Sequence, residues 1–572
     1  MSIPRPEHPR PQFMRSNWMN LNGTWQFEID NGRSGEARGL QKEGAALNSR
    51  ITVPFCPESR LSGIGHTDFM YGVWYKRQIM LPEITGTVLL HFGAVDYCCR
   101  AYINGELAGE HKGGYSSFSF DITKLLRPGD NELTVYAEDD TRDRLIPSGK
   151  QARTYHSQGC YYTRTTGIWQ TVWLEFLPEQ YLRNVKYRTN IYDGTVTVEA
   201  QLQGCSDLSC EVTYEGRSMG SYTCINACGN LVFTIALKEK HLWEPGAGRL
   251  YDIKLRFGRD TVSSYFGLRE VRLDGYKFLI NGKSVFQRLV LDQGFYPEGI
   301  YTAPSDAGLV RDIELSLAAG FNGARLHEKV FEERFLYHAD RLGYIVWGEY
   351  PDWGLDQSYA DNIYAILPEW VEVLQRDINH PAIVGWCPRN ETWDRNGRKQ
   401  FDPSIAMTYD ITKAMDPTRP CIDTSGHFHV RTDIFDVHCY EQDPTVFRQE
   451  YDKLMTNGTL HDQMGNRQTY LGGPAFVSEY GGIRWSSEAL CADKTGSWGY
   501  GKDVADLEDF YARFQGLTDA LLDNDRMFGL CYTQLTDVEQ EQNGLYTYDR
   551  KPKFDAKRLA AIMGRKAAIE ND

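Results

Sequence analysis

Two glutamates carry the strongest chemical signal in this 572-residue chain. Glu391 follows the run AIVGWCPRN, and Glu479 closes the run PAFVS. Strand ends are often polar because they face water, which accounts for one or two exposed carboxylates. It accounts less well for a glutamate ending an apolar run, whose side chain is delivered into a partly buried mouth. Two opposed carboxylates with aromatic neighbours are what hydrolysis of a glycosidic bond requires. One must be protonated to donate to the leaving oxygen. The other must be ionised, to attack the anomeric carbon or to activate water. A separation of about 5–5.5 Å gives retention of configuration, and about 6.5–9.5 Å gives inversion.

Further polar residues fall at the ends of similar runs. Asp292, His327 and His438 each close one and are candidates for binding ring hydroxyls. For the two histidines the alternative is a satisfied side chain at the rim. Arg325, Tyr440 and Gln534 stand at equivalent places, and Trp353, Trp393 and Trp485 offer stacking faces, at least one of them serving only for packing. Arg389, directly before Asn390, is a candidate for holding a substrate carboxylate bidentately. A salt bridge to Asp352 or Asp394 is the reading ranked above it, because neighbours on a strand point to opposite faces. Arg484 is a weaker candidate of the same kind.

The elements that must position these residues follow from the patterning after about residue 271. Strand-like runs at 285–292, 323–327, 344–350, 382–387, 421–425, 434–440, 475–480 and 527–534 alternate with helical patterns. Ser305 reads as a helix N-cap, Gly343 as a C-cap, and further helices span 362–378, 503–523 and 554–566. Eight strands with crossover helices in about 300 residues make a (β/α)₈ TIM barrel, whose sites lie at the C-terminal strand ends. Residues 1–180 are instead all β: short runs rich in Val, Tyr, Trp and Phe are separated by Asn22-Gly23, Asn104-Gly105 and Pro128-Gly129, as in a jelly-roll sandwich. Residues 181–270 continue as a smaller set, the size of one immunoglobulin-like β-sandwich.

Composition narrows the partners. A net charge of −15 argues against nucleic acid and anionic membranes. No run approaches the roughly 18 apolar residues of a membrane span, and the N-terminal MSIPRPEHPRPQF has no apolar core for a signal peptide. The 13 cysteines are odd in number and scattered, with no zinc-finger spacing. They read as mostly buried thiols of a reducing compartment, and the expected location is cytoplasmic. Aromatic residues make up 13%, which suits a carbohydrate partner and equally suits aromatic-rich β packing.

At these residues the chain resembles glycoside hydrolase family 2, the family of β-galactosidases, β-glucuronidases and β-mannosidases. LNGTWQF, VWYKR, INGELAGEHKGGYSSFSFDIT and GIWQTVWLE are similar to its sugar-binding-like jelly roll, and FGLRE to its junction with the barrel. NHPAIVGWCPRNE (379–391) is similar to its acid/base motif and FVSEYGG (476–482) to its nucleophile motif. The resemblance implies Glu391 as acid/base, Glu479 as nucleophile of a retaining, exo-acting mechanism, and Asn390 on the sugar 2-hydroxyl. Glu391 then needs a raised pKa, from burial and from Glu479. Glu479 needs donors such as Arg325 or Tyr440 to stay ionised. No metal or organic cofactor is required. The resemblance also implies a homo-oligomer, with the loop 484–502 a candidate for shaping a neighbouring site.

The sugar is the finer question. Glucuronidases of the family carry Asn-x-Lys after the eighth strand, where this chain has Glu541-Gln542-Asn543. A glutamate about 4 Å from a uronate costs about 1–4 kcal/mol at dielectrics of 80 to 20. The expectation is therefore a neutral sugar, with β-galactosidase first. The alternatives are a β-hexuronidase acting on glucuronides or galacturonides, an arabinosidase, a transglycosylase using the same intermediate, and, more remotely, a non-catalytic carbohydrate-binding protein.

Overall fold

The computed structural model describes residues 3–81, 85–465, 467–486 and 497–571. The N-terminal part is a sandwich of two antiparallel sheets. One has four strands in the order Trp18–Asn20, Val172–Leu177, Thr87–Phe92 and Phe118–Asp121. The other has six, in the order Ser49–Val53, Gly23–Ile29, Gly72–Leu81, Gly129–Glu138, Cys98–Ile103 and Glu106–Lys112. Val88, Leu90 and Phe92 of the first sheet share a core with Leu133, Val135 and Ala137 of the second. The hairpin turn at Asn104-Gly105 works because both residues adopt positive φ, 53° and 84°.

A second sandwich follows. Its spine is a hairpin of two 20-residue strands, Thr195–Tyr214 and Arg217–Ala236. The first half of Thr195–Tyr214 also pairs with Tyr181–Asn190, and the second half with Tyr251–Phe257, which pairs in turn with Asp260–Phe266. Register shifts between Gln201 and Cys205 and between Ser206 and Leu208 fall where the spine passes from one neighbour to the other. Cys205 and Cys228, opposite each other here, are joined by a disulfide, unlike the thiols expected. Seven of the ten free cysteines among the described residues are buried.

The third part is a curled parallel sheet with helices outside it. Around the curl run Ile383–Cys387, Ile345–Glu349, Gly323–Leu326, Gln287–Asp292, Met527–Thr533, Ala475–Gly481 and Phe435–Cys439. Seven strands appear where the sequence predicts eight. The fifth run, 421–425, touches the fourth strand only through the bridges Trp386–Cys421 and Asn390–Ser425. Side-chain bonding explains this. The Asp423 carboxylate accepts from Val430 N (2.6 Å) and Arg431 N (2.8 Å), and Gly426 turns the chain at φ 73°. Such local bonds compete with a ladder. The segment still closes the barrel and fixes Glu391, whose amide donates to Ser425 O at 2.9 Å.

The helices follow their caps. Ser305 Oγ accepts from Gly308 N before the helix Asp306–Ala318, and Gly343, at φ 67°, ends Glu333–Leu342. Ile363–Asp377, Leu507–Leu522 and Ala556–Met563 lie where helices are predicted. Asp402–Met415 and Pro444–Asn457 go beyond that prediction, although Pro403 and Pro444 in the first turn and Gly458 after the second are the usual signals. Among the described residues no helix is long and apolar enough to cross a membrane.

Two contacts hold the parts in register. Arg15 donates to Glu175 Oε2 (3.0 Å) in the first sandwich and to both Asp260 oxygens (2.9 Å each) in the second, all three side chains being buried. The connection 139–166 of the first sandwich runs across the barrel mouth. Ser148 N and Gly149 N donate to Trp353 O at one side (2.7 and 3.0 Å), and Gln540 donates to Tyr161 O at the other (3.0 Å). Removing one partner of a buried charge set strands the others. Arg15→Met is therefore expected to cost about 3–5 kcal/mol, read as a lower unfolding midpoint by tryptophan fluorescence. An unchanged midpoint would show that Arg15 carries no load between the two sandwiches.

Candidate active site

At the C-terminal strand ends the centre is a buried cation. Arg325, from the second barrel strand, donates through Nε to Glu349 Oε1 (2.5 Å) on the third strand. Through Nη1 it donates to Ser478 O (2.8 Å) and Glu479 Oε1 (3.2 Å) on the seventh. Through Nη2 it donates to Asn390 Oδ1 at 3.1 Å, just past the fourth strand. His327 Nδ1 lies 3.1 Å from Glu349 Oε2. Tyr440 donates to the other Glu479 oxygen at 2.5 Å and lies 3.0 Å from Thr533 Oγ1. Tyr500 stacks on the Tyr440 ring at 3.4 Å.

Glu391 faces this group from the opposite side, on a backbone at φ 44°. His438 stands between the carboxylates. Its Nδ1 is 2.7 Å from Glu391 Oε1 and its Nε2 is 3.5 Å from Glu479 Oε1. Ligand-type atoms of Glu391, His438 and Glu479 all lie within 4.8 Å of one another. They form the one such set among the described residues close enough to hold a metal ion.

The electrostatics depart from expectation at one glutamate. Burial pushes Glu479 up, but His438, then His327 and Arg325, outweigh it, and its pKa falls below the ordinary carboxylate range. For Glu391 the sequence predicts a raised pKa. Burial does push upward, yet the His438 hydrogen bond and charge, with His427 and Lys150 behind them, hold it well below that range. His438 moves the other way: burial lowers it, and Glu479 and Glu391 lift it above its usual value. The unliganded site thus keeps its proton on His438. A chain continues behind the ring, since Ser425 Oγ is 3.0 Å from His438 Nε2 and donates to Asp436 at 2.6 Å.

Several predicted residues meet here. Arg325, His327, Asn390, Glu391, His438, Tyr440 and Glu479 form one connected network. Trp353 joins it at the rim, donating from Nε1 to Asn390 O at 3.2 Å. Gln534 is fully buried and donates to Asn543 Oδ1 at 2.8 Å, one step further out. Five candidates stand elsewhere. Arg389 turns away from the mouth and is surrounded by Gln357, Asn362, Ser404 and Thr408. It pairs with neither Asp352 nor Asp394, and with no carboxylate of the centre. Asp292 binds Gly294 N at 2.9 Å, and burial beside Asp312 lifts it to about 7, on the helix side of its strand. Trp485 packs on the barrel's hydrophobic core, and Trp393 is 53% exposed, with its edge against His427. Arg484 pairs with Asp503. Residues 487–496 of the loop 484–502 lie outside the described residues.

Lys150 is the first of the residues that sequence reasoning missed. It belongs to the first sandwich yet lies buried at the barrel mouth, its Nζ 3.5 Å above the Trp353 ring. A signal existed: 139–166 is a long connection without strand pattern inside a compact domain, and such loops are commonly functional. Glu349, Tyr162 and Tyr500 were also outside the predicted set.

The family description "Glycosyl hydrolases family 2, TIM barrel domain" matches residues 271–565, and "Glycosyl hydrolases family 2, sugar binding domain" matches 66–174. The β-glucuronidase of Chlorocebus aethiops is 26% identical over 472 residues, 72% of this chain and 69% of that one. That of Homo sapiens is 26% identical over 455 residues, covering 70% and 67%. In fold, the Lactobacillus rhamnosus β-glucuronidase matches with a TM-score of 0.80 at 18% identity, covering 97% of this chain and 98% of its own. The Ruminococcus gnavus enzyme in complex with D-glucuronic acid matches at 0.79 and 18%, covering 96% and 98%. The barrel match alone takes in more than half of the residues, and this chain belongs to glycoside hydrolase family 2.

Proposed function

We propose that the protein is a retaining β-hexuronidase that acts first on β-glucuronides. The observation that carries the mechanism is the opposition of Glu391 and Glu479, whose nearest oxygens lie within 4.8 Å. That spacing suits a nucleophile and leaves no room for the water of an inverting enzyme. Glu479, ionised and oriented by Arg325 and Tyr440, attacks the anomeric carbon. The leaving oxygen is protonated by Glu391, which first draws its proton from His438 across the 2.7 Å bond. Glu391 then deprotonates the water that releases the sugar. Asn390 Nδ2 is buried and has no hydrogen-bond partner among the described residues, so it is free for the sugar 2-hydroxyl.

The hexuronide class is supported by the relatives named above, all β-glucuronidases, and it displaces β-galactosidase as the leading reading. The neutral-sugar expectation leaned on the charge of Glu541. That carboxylate accepts hydrogen bonds from Tyr162 OH (2.5 Å) and Asn543 Nδ2 (3.0 Å), and burial raises its pKa. A group so occupied, and biased toward its neutral form, repels a uronate far less than a free carboxylate.

p-Nitrophenyl β-D-glucuronide and β-D-galacturonide are expected to be cleaved in preference to the β-galactoside and the α-L-arabinoside. The first-formed sugar should be the β-anomer by NMR. Glu479→Gln should abolish release, and Glu391→Gln should cost on the order of 10²–10⁴-fold. Cleavage of neutral glycosides alone, or α-anomer product, would sink the reading.

The pH profile offers a separate check. Glu479 must be ionised, and its pKa is depressed, so activity persists to low pH. The last proton of the Glu391–His438 pair leaves at the raised pKa of His438, so activity should fall only above about 6.5. His438→Gln should move that basic limb to lower pH and reduce kcat. An unmoved limb would show that His438 does not hold the catalytic proton.

A further inference from the structure

Lys150 is a buried cation at the mouth with no hydrogen-bond or ion-pair partner among the described residues, only the face of Trp353. Three of its acidic neighbours are already engaged. Glu391 is bonded to His438, Glu479 to Arg325 and Tyr440, and Glu541 to Tyr162 and Asn543. Glu328 accepts from Trp353 N at 3.1 Å through Oε2 alone, and its buried Oε1 has no hydrogen-bond partner among the described residues. Burying an ammonium without a counter-ion is costly. Burial works against the charge, but Cys160 first, then Glu328, Glu391 and Glu479, outweigh it and keep Lys150 protonated.

The backbone holds it there deliberately. Gly149, at φ 52°, comes so close to the barrel that an added Cβ would meet Glu328 O at 2.5 Å. Ser148 N and Gly149 N are both tied to Trp353 O, and Trp353 is bonded in turn to Asn390 O. The ammonium therefore sits over Trp353, which hydrogen-bonds Asn390 O, and within the field of both catalytic carboxylates.

We propose that Lys150 is the specificity residue of this site, its ammonium pairing with the carboxylate of the sugar bound between Glu391 and Glu479. This rests on the hexuronidase reading and names the group that enforces it. A first-sandwich side chain thereby reads the charge of a sugar processed in the barrel. Trp353 beneath the ammonium limits its freedom, so the pair forms with little loss of side-chain entropy.

The test compares p-nitrophenyl β-D-glucuronide with its uncharged methyl ester in the wild type, Lys150→Gln and Lys150→Arg. The wild type should prefer the acid. Lys150→Gln should collapse the acid-to-ester ratio of kcat/KM by on the order of 10–100-fold, chiefly through KM, and Lys150→Arg should keep most of it. Equal loss for acid and ester would overturn the proposal, because Lys150 would then be setting the loop or the general field. An unchanged ratio would overturn it too, and would leave the cation to an anionic aglycone, which this substrate lacks. If the wild type cleaves only neutral glycosides, the hexuronidase reading itself fails. If it cleaves uronides with a ratio indifferent to Lys150, this inference fails alone.

Discussion

One guanidinium organises the centre. Arg325 is fully buried and spends its donors on Glu349, Ser478 O, Glu479 and Asn390, which come from the third and seventh strands and from just past the fourth. A buried cation of this kind is tolerable only when its donors are met by acceptors of matching geometry. That requirement fixes the relative heights of the strand ends. Glu479 must sit where one oxygen faces Arg325 and the other faces Tyr440. Asn390 must present its carbonyl oxygen to the same cation, which turns its amide nitrogen outward. A lysine could not do this, having one charged point where the site needs a planar fork.

Glu391 answers to a different logic. It lies across the gap from Arg325 and takes its order from His438. Expecting a raised pKa for the acid rested on counting only burial and the second carboxylate. The imidazole between them reverses the direction, because its hydrogen bond and charge, with His427 and Lys150 behind them, together outweigh desolvation. The proton then belongs to a pair rather than to a residue. Behind it, Ser425 Oγ lies beside the ring's Nε2 and donates to Asp436, and Ser425 comes from the segment that fails to become a full strand. That irregularity frees Ser425 Oγ to serve the site.

The sequence discloses the barrel and its chemistry where an apolar run ends in a charged residue. Glu391, Glu479, Arg325 and His438 are legible for that reason, as are Ser305 and Gly343 at helix ends. Legibility stops where the chain leaves regular geometry. Asp292 and Arg389 also end strand runs, but both turn toward the helices, and no alternation rule says which way a final residue turns. The fifth strand reads as one because its composition is right, while the Asp423 side chain takes the bonds a ladder would need. Lys150 is invisible for another reason. Its relation to Glu391 spans about two-fifths of the chain and arises only when two domains dock.

That docking gives the loop 139–166 a second meaning. A module that merely gathers sugar near an enzyme can be exchanged, duplicated or lost without touching the chemistry. Here the same segment that leaves the first sandwich is hydrogen-bonded to Trp353 at one side of the barrel and to Gln540 at the other. The boundary between the two folds is therefore not a seam along which ancestry can recombine freely. Any graft of a foreign first sandwich onto this barrel would import a different ceiling for the pocket, and with it a different appetite.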